Sequence, residues 1–344
     1  MEYSIGIDIG GTKIAAGIIN REGNVLLKKV FSTPQETKDS IIHLLENIIF
    51  SLSETAKTEG KRLVGIGIGT AGQIDFEKGK VLSGTANIKD WNDVALRDIL
   101  SKKTNLPIYI ENDVNVLALA EQQFGAGRNV ENLICLALGT GVGGGVITGG
   151  KLLRGAWGGG AELGHITVDM NGPLCNCGFQ GCVEVYSSGT GIARMMREEL
   201  DSYSESVRNS ELLYYQKHPE EVSSRLVFEL LNSGNEVAEK VVDTAINALS
   251  YAIVSMVHTF NPSMIILGGG VLRDGEWFIQ KIRERVATIG IRSLVDPVDI
   301  KGTQLGNDAG LIGAAIQPWV YGDEVTKNMS EQKPELQIDS KIEG

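Results

Sequence analysis

Two glycine-rich turns, each closing an apolar run of strand length, restrict this chain more than any other feature. The first is Asp8-Ile9-Gly10-Gly11-Thr12-Lys13, between the alternating run of residues 3–9 and a second β-rich run from Ile14 to Ile19. The second is Gly139-Thr140-Gly141-Val142-Gly143-Gly144-Gly145, directly after the apolar run Leu133 to Leu138. Glycines in a hairpin turn let backbone N–H groups approach an anion that side chains would hold off. Neither turn fits a helix-starting phosphate motif. A Walker loop needs Lys right after its last glycine and then a helix, whereas Thr12 intervenes and a β-rich run follows. The second turn contains a GxGxxG, but Val146-Ile147-Thr148-Gly149-Gly150 reads as the return strand of a hairpin, which argues against a dinucleotide fold and hydride transfer. A plain tight hairpin is the alternative for the first turn. Together the two predict one phosphate-clasping hairpin in each of two lobes, with a cleft between them.

The rest of the chain supports that organisation. At 344 residues, 42% hydrophobic and 22% charged, it is long enough for two cores. Ile41, Ile42, Leu45, Ile48, Ile49 and Leu52 recur at helical spacing and predict a helix over 37–57, followed by a buried strand from Leu63 to Ile68. Thr70 to Asn92 reads as irregular. A helix near Val94 to Lys102, a strand from Pro107 to Ile110 and a helix from about Asn112 to Gly125 come next. Residues 201–224 read as a surface excursion, 225–260 as helix ending at Asn261-Pro262, and Met264 to Leu267 as strand. Beyond Tyr321 the chain is charged and aperiodic, so 322–344 are expected to be a disordered tail. With 32 Lys and Arg against 43 Asp and Glu, the net charge is -11, which disfavours nucleic acid as a partner. No apolar run approaches the roughly 18 residues that span a bilayer, and the N-terminus opens without a basic leader. A cytoplasmic protein with no membrane partner is therefore expected.

Further groups carry chemistry. Asp8 is placed to hold Mg²⁺ through water. Ile265-Ile266-Leu267-Gly268-Gly269-Gly270 is a buried strand ending in bare backbone that could admit a flat nucleoside, or simply a strand-to-helix turn. In Glu111-Asn112-Asp113, an Asn or Asp is expected as a helix N-cap, and a carboxylate there stays ionised, so Asp113 is the candidate general base. His165, Cys175, Cys177 and Cys182 form a Cys₃His set suited to a structural zinc ion, with a redox pair or chance clustering as alternatives. Three of the four cysteines crowd into this one segment. Glu162 and Glu184 flank the set and could accept hydrogen bonds from sugar hydroxyls.

These residues give the chain a resemblance, over about residues 3–320, to the ROK family of sugar kinases and sugar-responsive repressors. The resemblance is carried by the Asp8 to Lys13 turn, by Leu138 to Gly145 continuing to Gly155 and Gly164-His165, and by the CxCGxxGCxE text from Cys175 to Glu184. It implies an α/β protein with the two-lobed, actin-like ATPase fold, in which ribonuclease H-like lobes close over the nucleotide. Residues 1–115 plus about 305–320 would form the small lobe and 116–304 the large lobe with the zinc site. Asp308 to Ala315 resembles the helix that returns to the first lobe. The implied activity is transfer from MgATP to a hexose or N-acylhexosamine, with Asp113 as base. Gly72, Asn87, Asn112, Glu162, His165 and Glu184 would contact the sugar. The nucleotide would meet Asp8, Gly10, Gly11, Thr12, Lys13, Gly139, Thr140, Gly141, Gly143, Gly268, Gly269 and Gly270. Mg²⁺ and structural Zn²⁺ are the implied metals, and a homodimer or homotetramer the implied assembly.

The resemblance favours a glucokinase, with one departure. Ala71 in Thr70-Ala71-Gly72-Gln73-Ile74-Asp75 stands where many glucokinase-like members have proline. Ala161 to His165 and Met256 to Pro262 are also similar to N-acetylmannosamine kinases, and fructose or allose are further acceptors within the family. A sugar-sensing regulator is the alternative class, but such members carry a helix-turn-helix ahead of the kinase-like body, and Asp8 arrives too early for one. A scaffold of the actin or chaperone kind would leave the cysteine cluster unexplained.

Overall fold

A computed structural model describes residues 1–85, 88–202, 210–272 and 275–331. The small lobe opens as a meander, β1 (Glu2–Ile9), β2 (Lys13–Asn20) and β3 (Val25–Ser32), then α1 (Lys38–Thr58) and β4 (Arg62–Thr70). A β5 (Gln73–Asp75) and β6 (Lys80–Ser83) hairpin, α2 (Leu96–Leu100), β7 (Ile108–Asn112) and α3 (Asp113–Phe124) follow. The sheet order is β3-β2-β1-β4-β7, antiparallel across the meander and parallel from β1 to β7. Ile5, Ile7 and Ile9 are wholly buried on one face of β1, and Ser4, Gly6 and Asp8 alternate with them on the other, where Ser4 Oγ donates to Ala315 O. In α1, Thr37 caps the first turn by accepting from Ser40 N, and Ile41, Leu45, Ile48, Ile49 and Leu52 bury one stripe, as their spacing predicts.

The large lobe repeats the scheme with β8 (Leu133–Leu138), β9 (Val142–Thr148) and β10 (Lys151–Leu152). Next come α4 (Glu184–Ser187), α5 (Gly189–Asp201), α6 (Ser210–Lys217), α7 (Ser224–Asn232), α8 (Glu236–Phe260), β11 (Met264–Gly268), α9 (Gly275–Val286), α10 (Arg292–Val295) and β12 (Asp299–Gly302). Its sheet order, β10-β9-β8-β11-β12, has the same pattern of antiparallel and parallel pairs as the first sheet. The last helix, α11 (Ala309–Glu331), crosses back and packs on β1 and β4. A Cβ on Gly67 would collide with the carbonyl oxygen of Ala314, so the bare strand is what lets the helix lie against the sheet.

Several sequence expectations need correction. The helical run over 225–260 is two helices, because Gly234 takes a positive φ and Asn235 caps α8 through its side chain. The excursion over 201–224 contains α6, whose Leu212 is buried against the large-lobe core. The irregular stretch from Thr70 to Asn92 contains the β5–β6 hairpin. The boundary at 115/116 falls inside α3, which is continuous and packs on β8 and β9 as well as β4 and β7. Helix α11 continues to Glu331, ten residues into the expected tail, while 332–344 lie outside the described residues. Helix α8 is by length and composition apolar enough to cross a membrane, contrary to the reading that no run comes close. About two thirds of that stretch is buried in the protein, so its apolar surface is accounted for by the core.

Candidate active site

The turn from β7 into α3 carries the candidate base. Asn112 is the N-cap: its Oδ1 accepts from Val114 N at 2.8 Å and Asn115 N at 3.1 Å, and its Nδ2 donates to Gly72 O at 3.0 Å. The side chain expected to meet sugar therefore also fixes the helix start, a capping interaction of about 1 kcal/mol. Gly72 sits at φ 112° with Ser83 O packed beside it, a conformation and a space that suit only glycine. Asp113 is half-buried at the first position of α3, its Oδ1 accepting from Val114 N at 3.0 Å. Loss of solvation pushes its carboxyl above the ordinary carboxylate range, backbone hydrogen bonds oppose the rise, and the charge of Glu162 adds to it. Asp8, at the end of β1, is pushed up to about 6, chiefly by burial and then by the charge of Asp113, with Lys13 and Lys28 pulling the other way. The two aspartates thus share one cleft.

Both glycine turns are hairpins, as the sequence predicts. Gly10 N donates to Lys13 O at 3.0 Å, and the loop is braced by Thr33 Oγ1 to Gly10 O at 2.7 Å and Gln35 Nε2 to Gly11 O at 2.9 Å. Gly139 N donates to Gly141 O at 2.9 Å, with Gly189 N to Gly139 O at 2.8 Å and Thr190 Oγ1 to Thr140 O at 2.7 Å. Thr12, Lys13 and Thr140 expose their side chains at the tips. The glycines divide by role. A Cβ at Gly139 would meet open space, whereas one at Gly143 would strike Val114, so Gly143 lets β9 pack on α3. After β11, Gly268 is buried against Thr303, Gly269 turns the chain at φ 101°, and both Gly269 and Gly270 are exposed.

The cysteine cluster closes the site on the large-lobe side. One ligand atom from each of His165, Cys175, Cys177 and Cys182 lies within 4.8 Å of every other. Cys175 Sγ is 3.6 Å from His165 Nδ1, and Cys177 Sγ is 3.6 Å from Cys182 Sγ. A tetrahedron built on roughly 2.3 Å metal–sulfur bonds has edges of about 3.8 Å, so the set fits a zinc-sized ion. The nitrogen of His165 that faces the thiols is Nδ1, which leaves Nε2 for another partner. Glu184 lies between the cluster and the second glycine turn, with Oε1 3.9 Å from Cys175 Sγ and Oε2 accepting from Val142 N at 2.9 Å. One of its two oxygens is thus committed to the second glycine turn. Glu162 is exposed just before the short turn Leu163–His165, and Gly164 lets that turn press on Val142 O. Asn87 lies outside the described residues. Sequence reasoning missed Trp91, which is wholly buried and donates from Nε1 to Thr70 Oγ1 at 3.0 Å, anchoring the segment after Asn87. A tryptophan in an otherwise polar loop was the available signal.

Two lobes of like topology, a glycine hairpin in each and a helix returning from the second lobe to the first define an actin-like ATPase fold. The chain matches the ROK family over residues 4–318 and belongs to it. It is 38% identical over 313 residues to a glucokinase from Thermotoga maritima, covering 90% of this chain and 95% of the relative. A ROK family glucokinase from Streptomyces griseus, solved with glucose and AMPPNP, superposes with a TM-score of 0.75 at 35% identity, covering 91% of this chain and 98% of the other. A xylose repressor from Caldicellulosiruptor bescii is 32% identical over 281 residues, covering 81% of this chain and 69% of the repressor.

Proposed function

We propose that the chain is an ATP-dependent glucokinase of the cytosol, moving the terminal phosphoryl group of MgATP to the 6-hydroxyl of glucose. The observation that carries this reading is Asp113, a carboxylate at the first position of α3 whose proton affinity is raised above that of an ordinary aspartate by burial and by the charge of Glu162. Its task is to accept the proton of the attacking hydroxyl. Phosphoryl transfer otherwise needs mainly alignment and charge stabilisation, which the two glycine turns supply from opposite lobes through backbone N–H groups and the Thr12 and Thr140 hydroxyls. Glu162, His165 Nε2 and Oε1 of Glu184 orient the sugar, and the exposed backbone of Gly269 and Gly270 receives the nucleoside. Lobe closure excludes water that would compete for the phosphoryl group.

Two metals fit this arrangement. Asp8 is a carboxylate whose burial and Asp113 neighbour outweigh the charges of Lys13 and Lys28, a balance that a divalent cation would redress, and Mg²⁺ there would neutralise phosphate charge. Zinc held by His165, Cys175, Cys177 and Cys182 would cross-link the segment bearing Glu162 and Glu184. N-acetylmannosamine is the second acceptor to consider, because Ala161 to His165 and Met256 to Pro262 resemble kinases for that sugar and Ala71 departs from the proline of many glucokinase-like members.

The test is ADP production from MgATP against glucose, mannose, fructose, allose, N-acetylglucosamine and N-acetylmannosamine. Turnover is expected to be highest on glucose, and Asp113→Asn should lower kcat by about 10²–10⁴-fold while sugar still binds. Highest turnover on N-acetylmannosamine would replace the acceptor but keep the mechanism. Sugar binding without turnover in the wild type would make the chain a sensor, the role its repressor relatives suggest.

A further inference from the structure

Glu111 precedes the Asn112-Asp113 pair and is almost entirely inside the protein, 1% exposed. A carboxylate so placed persists only where its charge and lone pairs are met. Its Oε1 accepts from Asn112 N and from Asn115 Nδ2, both at 2.9 Å, so it grips the backbone just before Asp113 and the side chain one turn later. Its Oε2 accepts from Arg154 Nε at 2.6 Å. Arg154 lies beyond β10 in the large lobe. Its guanidinium covers the rings of Phe76 and Tyr321, 3.8 Å and 4.5 Å from their centroids, and those rings meet edge to face at 4.9 Å. Phe76 follows β5 in the small lobe, and Tyr321 belongs to the returning helix α11. One guanidinium therefore joins the base-bearing turn, both lobes and the helix that links them.

None of these four side chains is needed to bind phosphate or sugar in the reading above, yet together they define where Asp113 points. We infer that Arg154 is a positioning residue: through Glu111 it fixes the β7–α3 turn that aims Asp113, and through Phe76 and Tyr321 it sets that aim relative to both lobes. The inference rests on the kinase reading. Its physical basis is that a reaction accelerated by alignment loses rate when the base is displaced, even where ground-state binding is unchanged. A lysine in place of Arg154 would keep the charge opposite Glu111 but lack the planar fork and the stacking.

The experiment compares wild type, Arg154→Gln, Arg154→Lys, Glu111→Gln and the Glu111→Gln/Arg154→Gln double variant, each checked for a cooperative thermal transition. Arg154→Gln is expected to lower kcat by about 10²-fold with KM for sugar and ATP within about 3-fold of wild type. Arg154→Lys should fall between them, and it carries the test if Arg154→Gln does not fold. The double variant should lose little more than the worse single variant, since both changes remove one interaction. Wild-type kcat in a folded Arg154→Lys or Arg154→Gln protein, a loss confined to KM, or multiplicative losses in the double variant would overturn the positioning role alone. A wild type silent on every sugar would overturn the kinase reading and this role with it.

Discussion

Asp8 shows what a reactive cleft does to the stability of the fold around it. Its carboxyl sits at about 6, against 3.8 for an ordinary aspartate, because burial and the neighbouring Asp113 disfavour the charged form. A folded-state pKa above the unfolded value means that the group's favourable contribution is complete below the unfolded pKa and is lost as pH rises through the folded one. At neutral pH the ionised Asp8 therefore opposes folding, by about 1–3 kcal/mol once partial exposure is allowed for. Asp8→Asn should accordingly stabilise the protein without nucleotide or added divalent cation. The gain should be small near pH 4, grow up to about pH 6.5 and stay level above it. Urea unfolding of both proteins across that range measures it, and a difference independent of pH would contradict the assignment. At this scale the sequence was most legible where function is local: Asp113 follows a strand, and the cysteines are neighbours. Arg154 was not legible, because its partner Glu111 is 43 positions away and nothing in either residue's surroundings announces the other.

Among the elements, the cysteine segment is a ribbon with no core of its own. Cys175 N donates to Phe179 O at 2.7 Å and Gly178 N to Cys175 O at 2.9 Å, while single bridges join Thr167 to Cys182 and Leu174 to Gln180. Leu174 and Phe179 are exposed, so apolar packing holds little of it. A zinc ion held by the four side chains would then be the main cross-link, and removing one ligand should release it. Cys177→Ser is expected to drop zinc from about one ion per chain to none and to raise KM for sugar about 10-fold or more, because His165 and Glu184 lose their anchor. Elemental analysis beside steady-state kinetics would show this; retained zinc would remove the cluster from the site. Strands β1, β8 and β11 were readable in the sequence because each is an apolar run that ends in glycine, whereas β5 and β6 are short and lie in a stretch that reads as irregular. The break between α7 and α8 was not, since the apolar spacing of Leu230 and Ala238 continues across it and only Gly234-Asn235 interrupts the backbone.

At the scale of the whole molecule, the two sheets share one strand order, and the connections between them set how one lobe joins the other. Helix α3 begins at Asp113 and ends beside Glu121, which is wholly buried. Glu121 Oε1 accepts from Gln304 N and Leu305 N, both at 3.0 Å, and Oε2 accepts from Ala126 N at 2.8 Å. Gln304 and Leu305 are the link from β12 into α11, whose first turn puts Gly310 against the Asp8 carboxylate. One carboxylate thus sets the path by which the large lobe returns to the small one and delivers a helix start to Asp8. Without it, three part-buried backbone N–H groups lose their acceptor. Glu121→Ala should therefore cost on the order of 3 kcal/mol or more. Glu121→Gln keeps one acceptor oxygen but turns an amide donor toward other donors, so its cost should be smaller yet clear. Urea unfolding gives both values. An alanine variant within about 1 kcal/mol of wild type would mean that the link is held by the packing of α11 alone, and that the crossing between lobes is set by the sheet glycines and not by this charge.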